Sequence, residues 1–511
     1  MSNPPFRKVL IANRGEIAVR VMRACREMGI STVAVYSDVD RTSRHVMEAD
    51  EAYHLGAAAP RASYLNGDKI IQAAAQAGAQ AIHPGYGFLS ENARFAEQVA
   101  EAGLVFIGPP AAAIRGMGNK VEARRIMRAA GVQVTPGSDG IVQGEDEIRR
   151  VANQVGYPVL LKAVAGGGGK GMRVVRAEGE IASALSAVQS EAGSAFGDPS
   201  VFVERFVTDS RHIEVQIMAG PDGRAIYLGE RECSIQRRHQ KLVEESPSPA
   251  VNEELREHLG AMAVRAAEAV GYRNAGTVEF IMDAAGDVFF MEMNTRLQVE
   301  HPVTEMVTGL DLVHAQLLVA AGQDPGFSQK DVRLTGSAIE CRIFAEDPAN
   351  QFLPSPGRLE SYIPPGGPGV REDSGVYAGW TVPMDYDPLI AKLITWGRDR
   401  GTALDRMRRA LGEYRIDGVR TTIPFHLALM DHPDFRAGEF NTGFLETHTL
   451  ALGGEESPDE QRVALAAALI GAHDRRLRLA GDRPRHGPMN RWKRAGLREG
   501  LTRRLPGGGE T

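Results

Sequence analysis

GTVEFIMDAAGDVFFMEMNTRLQVEH, residues 276–301, reads as two apolar strands joined by a turn and followed by a polar run. A two-residue turn at Ala285-Gly286 pairs positions of constant sum, 284 with 287, 281 with 290 and 279 with 292. Glu279 and Glu292 then face each other, and Asn294 shares the face of Glu292 because strand side chains alternate. Opposed carboxylates in apolar strands repel. A divalent cation removes the conflict, and hard oxygen donors suit magnesium better than zinc. The competing reading is a solvated face with compensating lysines. In the run that follows, Arg296, Gln298 and Glu300 alternate, so an extended course places them on one side, beside the metal. An arginine fork holds a small planar anion through two hydrogen bonds, and an adjacent carboxylate can serve as general base.

Upstream, AGGGGKGM (165–172) lies between the strand-like segments YPVLLKAV and MRVV. Consecutive glycines let backbone N–H groups converge on a polyphosphate, since no Cβ intervenes. A Walker A loop is excluded, because Gly171 stands where Ser or Thr is required and a strand follows in place of a helix. A flexible hairpin tip is the structural alternative. Gly85-Tyr86-Gly87 fails the dinucleotide pattern, with Ser90 at the third glycine's place, and reads as a turn. Lys162 sits in an apolar strand where a lysine without a partner is costly, so it is a candidate phosphate contact. Lys120, at a helix start, is a second candidate, with a solvated surface lysine as its alternative. The run Gln236-Arg237-Arg238-His239-Gln240-Lys241 carries more cations than a solvated loop needs, and Arg342 is another arginine among apolar residues.

The first hundred residues alternate KVLIA, STVAVYS, AIHPG and LVFIG with helices over 16–28, 68–76 and 92–102, the pattern of a doubly wound parallel sheet. A helix over 119–130 ends at Gly131. Longer strands follow between 212 and 323, with one helix over 254–270, and AIECRIFA opens a further segment near 337. A chain of 511 residues exceeds one compact core. Its net charge of -6 gives no reason to expect nucleic acid as a partner. Cys25, Cys233 and Cys341 are too scattered for a disulfide framework or a zinc site and fit a reducing cytosol. Without a signal-peptide core or a membrane-length apolar run, the expected location is cytoplasmic, away from membranes. Beyond 446 come a polar linker (453–460), a short helix candidate (462–472) and a basic segment (475–504). The last reads as a solvated tail, or alternatively as a docking arm for an acidic partner.

These residues resemble the ATP-grasp superfamily and, within it, biotin carboxylases. The resemblance rests on KVLIANRGEIAVRV, IHPGYGFLSEN, LLKAVAGGGGKGMRVV, RHIEVQ, RECSIQRRHQKLVEESP, MEMNTRLQVEHPVTEMVTG, ECRIFAEDP and YDPLIAKLITWG, which run in the family's order from residue 7 to about 446. It implies an α/β and α+β chain. An N-terminal doubly wound parallel-sheet domain (1–117) precedes a central ATP-grasp domain (118–332) with a mobile lid at about 132–207. A C-terminal mixed α+β domain (333–446) and a linker with basic tail (447–511) complete it. By the same resemblance Lys120, Lys162, Gly168, Gly169, His212 and His239 contact ATP, and the hinge Glu204, Arg205, Phe206 and Val207 holds adenine. Glu279, Glu292 and Asn294 bind magnesium or manganese, as two ions. Lys241, Arg296, Gln298 and Val299 hold bicarbonate with Arg342 nearby, Glu300 is the base, and Arg342 stabilises the biotin enolate. Asn119 and Arg205 depart from the family's pattern, both at the nucleotide rim.

The implied reaction is ATP-dependent carboxylation of biotin through carboxyphosphate, giving ADP, phosphate and carboxybiotin. No Met-Lys-Met biotinylation tripeptide occurs. The biotin carboxyl carrier protein and the carboxyltransferase are therefore expected on separate chains, and a homodimer is expected from the resemblance. The acceptor is expected to be acetyl-CoA or another acyl-CoA, with pyruvate as the alternative. Another ATP-grasp ligase is weighed against by NTRLQVEH, and an inactive homologue by the complete set of lysines and carboxylates.

Overall fold

A computed structural model describes residues 4–164 and 171–452, with 466 and 469–471 beyond. Gly168 and Gly169, with the rest of 165–170, lie outside the described residues, as do the 453–460 linker and the basic segment 475–504. Strands β1 (Lys8–Ile11), β2 (Ser31–Ser37), β3 (Glu51–Gly56), β4 (Ala81–His83) and β5 (Val105–Phe106) form an all-parallel sheet in the order β3-β2-β1-β4-β5. β3 escapes the sequence reading because it is an edge strand with Ala52 and His54 exposed, so it lacks the continuous apolar run of its buried neighbours. The helices fall where read, at Gly15–Glu27, Gly67–Ala77 and Ala93–Glu101. A further one, Ala111–Gly118, follows Pro110. Asn119, one of the two departures from the family pattern, caps the next helix, Lys120–Ala129, by accepting from the N–H groups of Val121 and Glu122.

β6 (Val159–Ala163), β7 (Met172–Val175) and β8 (Val201–Arg205) make a small antiparallel sheet. With helices Glu145–Val155 and Ile181–Phe196 it encloses a core drawn entirely from residues 142–203, including Ile148, Leu161, Val188 and Val203. A segment with its own core can move as a unit.

The main sheet is antiparallel. It contains β9 (Arg211–Ala219), β10 (Ala225–Arg237), β11 (Gln240–Ser246), β12 (Asn274–Met282), β13 (Val288–Asn294) and β14 (Ser337–Phe344). Their order is β13-β12-β9-β10-β11-β14, continued by Leu389–Gly397 and Val370–Ser374. The sheet thus runs unbroken from the 118–332 region into 333–446 at the β11–β14 pairing. The cation-rich run 236–241, given no element in the sequence reading, spans the end of β10 and the start of β11. Arg237 pairs with Gln240 across a two-residue turn, and Arg238 and His239 take φ of 50° and 66°. The usual Asn-Gly signal of such a turn is missing, so the hairpin was hidden.

The 276–301 hairpin holds the expected opposition of Glu279 with Glu292 by an unexpected route. Ile281 pairs with Phe289 and not with Phe290. Asp283 draws the turn out to Asp287 by accepting from the N–H groups of Ala285 and Asp287, both at 3.0 Å, with Gly286 at φ 90°. The register is then one residue off, and a bulge at Met291 restores it. The three cysteines are buried free thiols. Among the described residues no single helix is long and apolar enough to cross a membrane.

Candidate active site

Lys241 of β11 lies at the centre of the site. Its Nζ stands 2.6 Å from Glu214 on β9, 3.0 Å from Glu279 on β12 and 2.7 Å from Glu300. One ammonium among three buried carboxylates is held well above its usual pKa, since Glu214, Glu279 and Glu300 outweigh the burial that pushes it down. Burial alone would raise the Glu300 carboxyl; Lys241, then Arg342 and Arg231, hold it well below the carboxylate range instead. Arg342 reaches the second oxygen of Glu300 at 2.9 Å and is itself held by Glu244 at 2.7 Å. Glu214 passes its other oxygen to Arg231, a fully buried guanidinium that also donates to Gln216, Thr277 and Thr304.

Arg296 donates to Glu91 at 2.9 Å, Gln298 at 2.6 Å and Asn294 at 3.2 Å, and Gln298 donates in turn to Glu279 at 3.2 Å. Strand alternation does not bring these groups together, which corrects the extended reading of 295–300. β13 ends at Asn294, the chain bends, and helix His301–Thr308 begins with Pro302 in its first turn. The carbonyl of Gln298 closes the bend by accepting from the backbone of His301 and engaging its ring. Lys392, buried on the strand Leu389–Gly397, donates to the carbonyl of Val299 at 2.8 Å.

At the hairpin, Asn294 donates to Glu279 at 2.6 Å, and His212 meets the other Glu279 oxygen at 2.9 Å. On this face Glu279 and Asn294 are buried and Glu292 is partly buried, and Lys241 already compensates Glu279. Carboxylates at 279 and 292 with the Asn294 amide remain a donor set that fits magnesium. Lys120 is close by, pushed down by burial and by Lys162 and pulled back by Glu292, Glu204 and Glu279.

Lys162 is buried, and its partner here is Glu204 at 2.8 Å; Arg124 takes the other Glu204 oxygen at 3.0 Å. The Glu204 side chain is thus committed inside the protein. Arg205, the second departure from the family pattern, reaches Asp283 at 3.3 Å and lies over the Phe289 ring. The N–H groups of Arg205 and Phe206 go to Pro136 and Pro158, and Val207 is buried. His239 is exposed at the tip of the β10–β11 hairpin, its pKa lowered by partial desolvation of the ring and by Lys162.

Glu91, Glu214, Arg231, Glu244 and Lys392 were missed by the sequence reading. The signal was present for Arg231 and Lys392, which are charges inside apolar strands like Lys162 and Arg342. For Glu91 the signal does not exist locally, since it acts on residues 204 and 205 positions away.

Residues 5–114 match the family described as biotin carboxylase, N-terminal domain. Residues 119–325 match the carbamoyl-phosphate synthase L chain, ATP binding domain, and 340–447 the biotin carboxylase C-terminal domain. Fold and site together define an ATP-dependent ligase. The chain belongs to the biotin carboxylase family, the ligases that serve biotin-dependent carboxylases. It is 56% identical over 444 residues to biotin carboxylase 1 of Bacillus subtilis, covering 87% of this chain and 99% of that protein. Identity is 54% over 450 residues to a pyruvate carboxylase subunit of Methanothermobacter thermautotrophicus, covering 88% and 91%. The biotin carboxylase domain dimer of Hydrogenobacter thermophilus 2-oxoglutarate carboxylase, solved with MgADP, ADP and bicarbonate, superposes with a TM-score of 0.86 at 50% identity, covering 88% and 99%.

Proposed function

We propose that this chain carboxylates carrier-bound biotin with bicarbonate and ATP, as the first half-reaction of an acetyl-CoA or other acyl-CoA carboxylase. The carrier and carboxyltransferase act as separate chains, and the enzyme works as a homodimer. The observation that carries the site assignment is the meeting of Lys241, Glu300 and Arg342 from three distant elements.

In this reading Lys241, Arg296, Gln298 and Val299 hold bicarbonate, with Arg342 beside it, and Glu300 takes its proton. A carboxylate under two cations is a weak base; its basicity rises once Lys241 and Arg342 share their charge with the bound anion. The bicarbonate oxygen attacks the γ-phosphorus, the bond to the bridging oxygen of ADP breaks, and carboxyphosphate forms. Lys120, Lys162, His212 and His239 line the nucleotide, and Gly168 and Gly169 join them by resemblance. The Glu204–Val207 hinge flanks adenine, with the Glu204 carboxylate kept for Lys162 and Arg124. Glu279, Glu292 and Asn294 would hold magnesium, which supplies neutralisation of charge on the β and γ oxygens. Carboxyphosphate hydrolyses in water, so the small sheet at about 132–207 acts as a lid that excludes it. The C–O bond of carboxyphosphate breaks to give CO2 and phosphate; the phosphate takes the N1′ proton of biotin, Arg342 faces the enolate oxygen, and N1′ bonds to the carbon of CO2. Bicarbonate-dependent ATP hydrolysis that rises with free biotin tests the reaction; its absence sinks it.

A second reading, the biotin carboxylase component of a pyruvate carboxylase, is favoured by the 54% identity to a protein of that kind. The transferase chooses the acceptor, so mass spectrometry of co-purified partner chains separates the two.

A further inference from the structure

The β11–β14 pairing sets Glu244 directly opposite Glu340, and both are wholly buried. Opposed residues on antiparallel strands carry Cβ atoms about 5 Å apart on the same face. Among the described residues, neither oxygen of Glu340 nor Oε2 of Glu244 meets a hydrogen-bond donor. Oε1 of Glu244 accepts from Arg342, whose Nη2 also reaches Glu300. Glu244 is thus joined to the proposed base through Arg342, and Glu340 stands opposite it with both oxygens lacking donors. Two ionised carboxylates so placed repel strongly in a low dielectric, and an orphaned buried acceptor lacks the hydrogen bond that offsets its desolvation. A single proton between them removes the repulsion and gives two of the three orphaned oxygens a partner.

We propose that Glu244 and Glu340 share one proton and form a positioning pair for Arg342. With the proton on Glu340, Glu244 is an anion and anchors the guanidinium between itself and Glu300. Transfer to Oε2 of Glu244 breaks one O–H bond and makes another, leaves the total charge unchanged, and frees Arg342 to turn to the substrate oxyanion. The groups facing Glu340 are Lys392 from the strand Leu389–Gly397, Glu244 from β11, Glu300 from the bend, Tyr86 from the loop after β4, and Cys341 and Arg342 on its own strand. Burial holds the Glu340 carboxyl well above the usual range against the pull of Lys392, and Glu244 pushes it further. Glu244 is raised by burial to about 7 against Arg342. The inference rests on the roles proposed above for Glu300 and Arg342, so its first test reads protonation and not turnover.

Infrared difference spectra of the full chain at neutral pH, wild type against Glu340→Gln, are expected to show loss of a protonated-carboxyl C=O band that shifts in D2O. Glu244→Gln should remove or shift the same band, and it serves if Glu340→Gln does not fold. In turnover, Glu340→Gln should keep bicarbonate-dependent ATP hydrolysis within about threefold while lowering biotin carboxylation roughly tenfold or more, because the glutamine N–H fixes Glu244 as the anion. Its carboxylation pH profile should also lose an ionisation near neutrality. Absence of a carboxyl band assignable to either residue overturns the proposal. So does loss of the band with an unchanged carboxylation pH profile. An intact wild-type band beside a fully active Glu300→Gln enzyme would sink only the base assignment and leave the shared proton standing.

Discussion

The ammonium of Lys241 donates to Oε1 of Glu300 at 2.7 Å, across 59 residues of chain. This pairing keeps Glu300 ionised, and it makes the proposed base and the proposed anion-holding cation a single unit. Glu300→Gln is expected to lower kcat/KM for biotin carboxylation by roughly 10²–10⁴, with the KM for ATP little changed. Steady-state kinetics with free biotin decide it, and a fully active variant rules out the assignment.

Glu91 positions the proposed anion fork without belonging to it, since it accepts from both Nε of Arg296 and the backbone N–H of Thr295 at 2.9 Å. Glu91→Gln should raise the KM for bicarbonate about tenfold and leave that for ATP alone. An unchanged bicarbonate KM would show that Gln298 and Asn294 suffice.

Asp40 accepts from Arg14 at 2.6 and 2.7 Å, from Tyr64 at 2.7 Å and from Ser43 at 2.8 Å. Burial pushes its carboxyl up, but the Arg14 pairing wins and brings it down to about 2. A folded value below the ordinary aspartate value of about 3.9 means stability that is complete above that pH and lost as pH falls through the folded value. The contribution is about 2 kcal/mol. Urea unfolding should find Asp40→Asn destabilised at pH 7, with the gap to wild type narrowing toward pH 3; a gap independent of pH contradicts the linkage.

The left-handed turn at Arg238-His239 suits glycine and asparagine better than the residues present. The double substitution Arg238→Asn with His239→Gly should stabilise the protein by about 1 kcal/mol and raise the KM for ATP severalfold. Thermal melting and ATP titration report the two effects separately. A destabilised variant would mean that the present side chains hold the turn.

Much of the site was legible in the chain, though not always for the reason first given. The opposition of Glu279 and Glu292 follows from the constant sum, yet it survives because a wider turn and the Met291 bulge cancel. Gln298 and Glu300 do converge with Arg296, but through a bend and not through strand alternation. Lys162 was singled out as a candidate phosphate contact; in the fold its ammonium is paired with Glu204.

By itself, the sequence determined most of the elements and which of them carry charge. Apolar period, helix caps and glycine positions are local properties, and they place most of the strands, though not the edge strand β3 or the β10–β11 hairpin. Only the tertiary structure decided which charges meet. Lys241 collects Glu214, Glu279 and Glu300, Arg342 joins Glu244 to Glu300, and one sheet crosses from 118–332 into 333–446. The physical reason is sheet order: a strand's own pattern says which face is buried, but the neighbour that supplies the counter-charge to that face is chosen by long-range pairing.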